Sequence, residues 1–63
     1  MIGKHFNFNG SVITVEAVYR ISFDGTIYRC SYFEVDKHRP EYMKRVYCNI
    51  SENLLNKLEE FPF

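Results

Sequence analysis

The sequence predicts a mainly β domain with one C-terminal helix (α+β), a four-stranded antiparallel meander that bends strongly or closes into a small, partly open barrel. Three features carry that expectation. Asn9-Gly10 separates two runs of strand-type residues, Phe23-Asp24-Gly25 precedes the β-rich run TIYRCSYFEV, and the closing segment ENLLNKLEEF repeats its leucines at helical spacing. With 63 residues the chain has room for a single domain, 1–63. A domain this small buries only about 60% of its unfolded surface. Its core must therefore come from large side chains, which six Phe and five Tyr supply.

The first strand is read over residues 4–8 and the second over 11–21. A two-residue type I′ turn needs positive φ at both central positions, and Asn-Gly accepts that better than other pairs. The turn sets Phe6 opposite Ile13 and Lys4 opposite Val15. Phe6, Phe8, Ile13, Val15, Ala17, Tyr19 and Ile21 then share one face, while His5, Asn7, Thr14, Glu16 and Arg20 share the other. The first set is the core face.

The third strand is read over 26–35. If Asp24-Gly25 alone forms the turn, Arg20 falls opposite Arg29, a like-charge pair that weakens the ladder. A four-residue loop, Ser22 to Gly25, avoids that clash and pairs Ala17 with Cys30 and Val15 with Tyr32. A three-residue loop with Gly25 in the left-handed region instead brings Phe33 to the core side, so the turn alone leaves the parity open. The next hairpin bears on the choice. With a fourth strand over 42–50 and Cys30 opposite Cys48, Tyr32 faces Val46, and Glu34 faces Lys44 as an opposite-charge pair. Cys30, Tyr32, Val46, Cys48 and Ile50 then line the core side, and Arg29, Ser31, Phe33, Met43, Arg45 and Tyr47 the other. The first set is the better core, which favours the four-residue loop.

A helix is expected over 52–61. Ser51 is a good N-cap, Glu52 falls in the first turn, and Leu54, Leu58 and Phe61 recur at i, i+4 and i+7, with Leu55 widening the stripe. Pro62 stops it. Ten residues do not hold a helix in isolation, so this one must pack on the sheet or plug an open barrel end.

The opening G-K-x-F-x-x-N-G-x-x-I-x-V, Gly3 to Val15, resembles the first hairpin of the small SH3-like β-barrel domains found in many bacterial and phage proteins. The resemblance covers that hairpin alone. It implies a small barrel and a binding role toward peptides, RNA or DNA, without choosing among them. The tryptophan and acidic loop of a groove for proline-rich peptides are missing, so that activity does not follow.

Composition narrows the function further. The net charge is zero and the pI about 6.7, against values above about 9 for a domain built to hold phosphate backbones. No apolar run reaches signal-peptide or membrane-spanning length, which makes the cytoplasm the expected compartment and no membrane an expected partner. No C-x₂₋₄-C knuckle advertises zinc, no paired carboxylates stand out, and both cysteines fall on the core face, where thiols are inert. The expectation is a chain with no cofactor and no metal site, and not an enzyme.

What remains is a surface. Arg29, Phe33, Met43, Arg45 and Tyr47 interleave cations with apolar and aromatic groups, a composition suited to a protein partner, to a second copy, or to stacked single-stranded bases. The alternative is a face covered by the helix or by a second layer of a barrel. Beside it, the loop 36–42 carries Lys37, His38 and Arg39, with Arg39 held extended before Pro40. That loop either touches an acidic group or is simply solvated, Asp36 and Glu41 neutralising it locally. The expected function is a small protein-interaction domain binding through this face and loop, such as the inhibitors or adaptors that phages and mobile elements encode. A single-stranded nucleic-acid-binding small barrel is the alternative.

Overall fold

The computed structural model describes residues 1–61, in which five strands and a single helical turn follow one another: β1 (His5–Phe8), β2 (Ser11–Ser22), β3 (Gly25–Val35), β4 (Met43–Ser51), α1 (Glu52–Leu55) and β5 (Glu59–Phe61). Pro62, the expected helix stop, lies outside the described residues. The strands form one antiparallel sheet in the order β4-β3-β2-β1-β5. The sheet is open, with β4 and β5 as its edges, so the expected closure into a barrel is not seen.

The first hairpin forms as its turn chemistry dictates. Asn9 (φ 52°) and Gly10 (φ 84°) both take left-handed backbone, Phe6 stands opposite Ile13, and the Val15 N–H donates to the Lys4 carbonyl at 3.0 Å. The β3–β4 register also agrees with the expectation. Cys30 opposes Cys48, Tyr32 opposes Val46, and Glu34 opposes Lys44.

The β2–β3 hairpin corrects it. The turn is Phe23-Asp24, two residues rather than four, closed by Ser22 opposite Gly25 (φ 132°). The ladder then starts in the expected register, with Ile21 opposite Thr26. It slips once between Arg20 and Val18 and again between Ala17 and Val15. As a result Val15 meets Cys30 instead of Tyr32, and Ala17 meets Arg29 instead of Cys30. Each bulge turns the strand over by one residue, so two of them leave Val15 and Cys30 together on the core face while Ala17 goes to the opposite one. Tyr19 and Ile21 are not core residues either; both are exposed, Ile21 at 75%. The cause is the shortness of β1. It covers β2 only as far as Val15, and beyond that point β2 pairs with β3 alone, so a bulge there breaks no second ladder.

The C-terminal segment gives the second correction. Ser51 caps the helix, its Oγ accepting the Leu54 N–H at 3.3 Å, but the α-helix ends at Leu55 instead of running to residue 61. Lys57 and Leu58 donate to Leu54 and Leu55, three residues back, which tightens the last turn to 3₁₀ geometry and ends the helix. Residues 59–61 then become a fifth strand, with Glu59, Glu60 and Phe61 opposite Asn7, Phe6 and His5. A ten-residue helix gains little by itself. Pairing satisfies the row of backbone groups that β1 would otherwise leave open, and Lys4 Nζ adds an ion pair to Glu60 at 3.6 Å.

One face of the sheet is the core: Phe6, Ile13, Val15, Cys30 and Ile50 pack with Leu55 from α1, and Met1, Phe8, Tyr28, Tyr32, Cys48 and Leu58 close around them. The leucine stripe is thus used by Leu55 and Leu58, whereas Leu54 faces outward. Among the described residues no helix is long and apolar enough to cross a membrane.

Candidate interaction surface

Because α1 packs against the core side of β3 and β4, no element of the described chain lies over the other face. That face is built by register. A transverse row crosses all five strands, Phe61, His5, Thr14, Ser31 and Tyr47, each opposite the next. Its middle is polar and closed: His5 Nδ1 and Thr14 Oγ1 lie 2.9 Å apart, and the Ser31 hydroxyl, itself buried, donates to Glu16 Oε1 at 2.8 Å. Glu16 sits in the bulge next to Val15, so the irregularity of β2 is what aims its carboxylate across the sheet.

The β3–β4 side of this face carries the residues singled out from the sequence. Phe33 stands directly opposite Arg45, and the guanidinium lies 5.0 Å from the ring centre. Arg29 reaches diagonally to Tyr47, 4.3 Å from its centre. These are cation–π distances, each contact contributing about 0.5–1 kcal/mol where water has access. Phe33 and Tyr47 remain 53% and 47% exposed, so the rings are held but not hidden. The Tyr47 hydroxyl beside Arg45 raises the guanidinium pKa further, with Glu16 adding to the same direction, so its charge is permanent. Met43 extends the patch, opposite Val35, and both are exposed.

The loop is more ordered than a solvated connection needs to be. The Asp36 N–H donates to the Tyr42 carbonyl at 3.1 Å and the Tyr42 N–H to the Arg39 carbonyl at 2.9 Å, which makes Arg39–Tyr42 a turn with Pro40 at its second position. Asp36 Oδ1 accepts the His38 N–H at 2.8 Å. Arg39 lies over the Tyr42 ring at 5.8 Å. Lys37 is exposed at the tip and is not brought into the cluster.

No protein-family model, curated protein or solved structure matches this chain. Among the described residues no group of three or more His, Cys, Asp or Glu side chains is placed to hold a metal ion. Two open clefts among the described residues, each of about 270 Å³, lie elsewhere: one at the β2–β3 turn and the start of α1, the other on the core side between Phe8, Ile13, Tyr32 and Cys48.

Sequence reasoning missed the far end of the β2–β3 hairpin. Tyr19, Ile21 and Phe23 form an exposed apolar arm, with Phe23 99% exposed at the turn. The available signal was Phe23 itself, since turns favour Gly, Pro, Asn, Asp and Ser, and a Phe there has no local reason.

Both cysteines are free thiols on the core side. Burial pushes the Cys30 thiol up to about 11, with Cys48 and Glu16 adding to the effect, and burial raises Cys48 as well. The thiols are poor nucleophiles at neutral pH. The Cys30 shift also sets a sign for stability. Below the ordinary value of 9.0 both folded and unfolded chains keep the proton, and the contribution is complete. As pH rises from there toward about 11 the unfolded chain ionises first, so stability falls. The expected loss is on the order of 1–2 kcal/mol. Urea midpoints taken across this window in wild type and Cys30→Ala check it: the variant must lack that part of the slope.

Proposed function

We propose that the chain is a small non-enzymatic interaction domain of SH3-like kind, which binds a protein partner through Arg29, Phe33, Met43, Arg45 and Tyr47 with the 36–42 loop at the rim. The observation that carries this is the pairing of each exposed ring with a guanidinium, Arg45 on Phe33 and Arg29 on Tyr47, on a face that nothing in the described chain covers. Side chains held in place before binding lose less entropy when a partner docks, and Arg, Tyr, Phe and Met are the residues enriched in interface cores. The SH3-like kinship is supported by chain path: after four strands in sequence a single helical turn carries the chain back to pair with β1.

A protein is favoured over single-stranded nucleic acid for two reasons. The net charge is zero, and an arginine already lies over each ring on which a base would stack. An immobilised-protein capture from native-host extract tests the reading, with Phe33→Ala and Arg45→Glu as parallel baits. A protein held by wild type and lost by both folded variants supports it. Oligonucleotide binding that weakens steeply with salt and disappears in Phe33→Ala transfers the surface to nucleic acid and overturns it.

A further inference from the structure

The outer edge of β4 points to a different contact, one that rests on backbone groups and stands whether or not the proposed face binds a partner. Val15 donates its N–H to Lys4 and its carbonyl accepts the Gly3 N–H at 2.8 Å, so its backbone faces β1. Cys30, opposite Val15, therefore faces β4, which makes Cys30–Cys48 a hydrogen-bonded pair, along with Tyr32–Val46 and Glu34–Lys44. The Asp36 to Tyr42 bond continues the same parity beyond the strand ends. Met43, Arg45, Tyr47 and Asn49 accordingly turn both N–H and C=O outward, away from the sheet, until Ser51 gives its carbonyl to the first turn of α1.

Open edges of this kind are normally blunted. The other free edges here are: β2 beyond Val15 carries two bulges, and β5 has three residues, two of them glutamates. β4 instead runs nine residues in unbroken register, without proline, glycine or bulge. Its charges do not guard the edge, because Arg45 is drawn inward over Phe33 and Lys44 stands opposite Glu34.

We propose that β4 pairs antiparallel with β4 of a second copy across a two-fold axis at Tyr47, joining the two sheets into one. Full overlap of the strand sets Tyr47 opposite the partner's Tyr47 and Arg45 opposite the partner's Asn49. The basic end of each strand, Lys44 and Arg45, then approaches the other copy's end at Ser51 and Glu52. Centring the axis on Arg45 would set two arginines against each other, which the ladder disfavours. Pairing of this kind is self-complementary and closed, so it consumes both exposed edges and stops at two chains.

Sedimentation equilibrium of the full chain over a concentration series up to about 1 mM is the test. A reversible dimer is expected, and a monomer throughout overturns the proposal. Asn49→Pro deletes only an outward N–H, so it must weaken the dimer by about tenfold or more while strand circular dichroism persists. A folded Asn49→Pro that dimerises like wild type overturns the proposal too. Should that variant not fold, charge decides. Asn49→Arg, set against the partner's Arg45, is expected to loosen the dimer by about tenfold and Asn49→Glu to tighten it, and no shift in either is an overturning result. Phe33→Ala leaves the dimer intact, which separates this contact from the proposed binding face.

Discussion

Leu55→Ala removes most of the stability of this domain. Leu55 is fully buried, the only buried residue of α1, and it closes the core over Ile13, Val15, Cys30 and Ile50. A buried Leu→Ala change costs about 2–5 kcal/mol through lost transfer energy and the cavity left behind. A chain of this length has roughly 3–9 kcal/mol in total. The upper part of the expected loss therefore unfolds the protein at room temperature, and the lower part moves its urea midpoint far toward zero. Collapse of the site will not rescue the variant easily, since α1 is one turn long and is tied to the sheet by Ser51 at one end and β5 at the other. A Leu55→Ala protein with a near-native midpoint would falsify the placement of α1 on this face. Leu54→Ala is the control: Leu54 faces outward, and its loss is expected to stay within about 0.5–1 kcal/mol.

Phe6→Ala and Phe33→Ala separate the two faces of the sheet. Both residues are phenylalanines on strands, and composition alone does not distinguish them. Phe6 is 3% exposed between Ile13 and Glu60, so its truncation costs about 3–5 kcal/mol and loosens β1, the strand on which β5 depends. Phe33 stands half in solvent under Arg45, and removing it costs about 1 kcal/mol, chiefly the cation–π contact and some apolar area. Chemical denaturation of the two variants in parallel measures the difference. Equal losses would mean that both faces are buried, and the surface assigned to a partner would instead be covered.

Legibility in the sequence followed the range of the interactions. Asn9-Gly10 specified its own turn, and the first hairpin followed from it. The β3–β4 register followed from Cys30, Tyr32 and Glu34 agreeing at once with Cys48, Val46 and Lys44, and it placed Arg29, Phe33, Arg45 and Tyr47 together on one face. The bulges at β2 were not legible, because alternation of Val15, Ala17, Tyr19 and Ile21 is equally apolar in a straight strand and in one that slips twice. What breaks the pattern is the end of β1, a property of the neighbouring strand. The fifth strand was hidden for a related reason: Leu54, Leu55 and Leu58 do have helical spacing, and only the open edge of β1 turns residues 59–61 to another use.

The paired slips in β2 also bear on how the chain tolerates changes in length. Removing Glu16 or Tyr19 alone would flip the far hairpin arm relative to the core, exchanging which of its side chains face each way. Removing one residue from each slip keeps the arm's orientation and merely shortens it. Viable descendants of this sequence should therefore gain or lose residues in this arm two at a time, and a lone deletion should survive only with a compensating one on the other side of Val18.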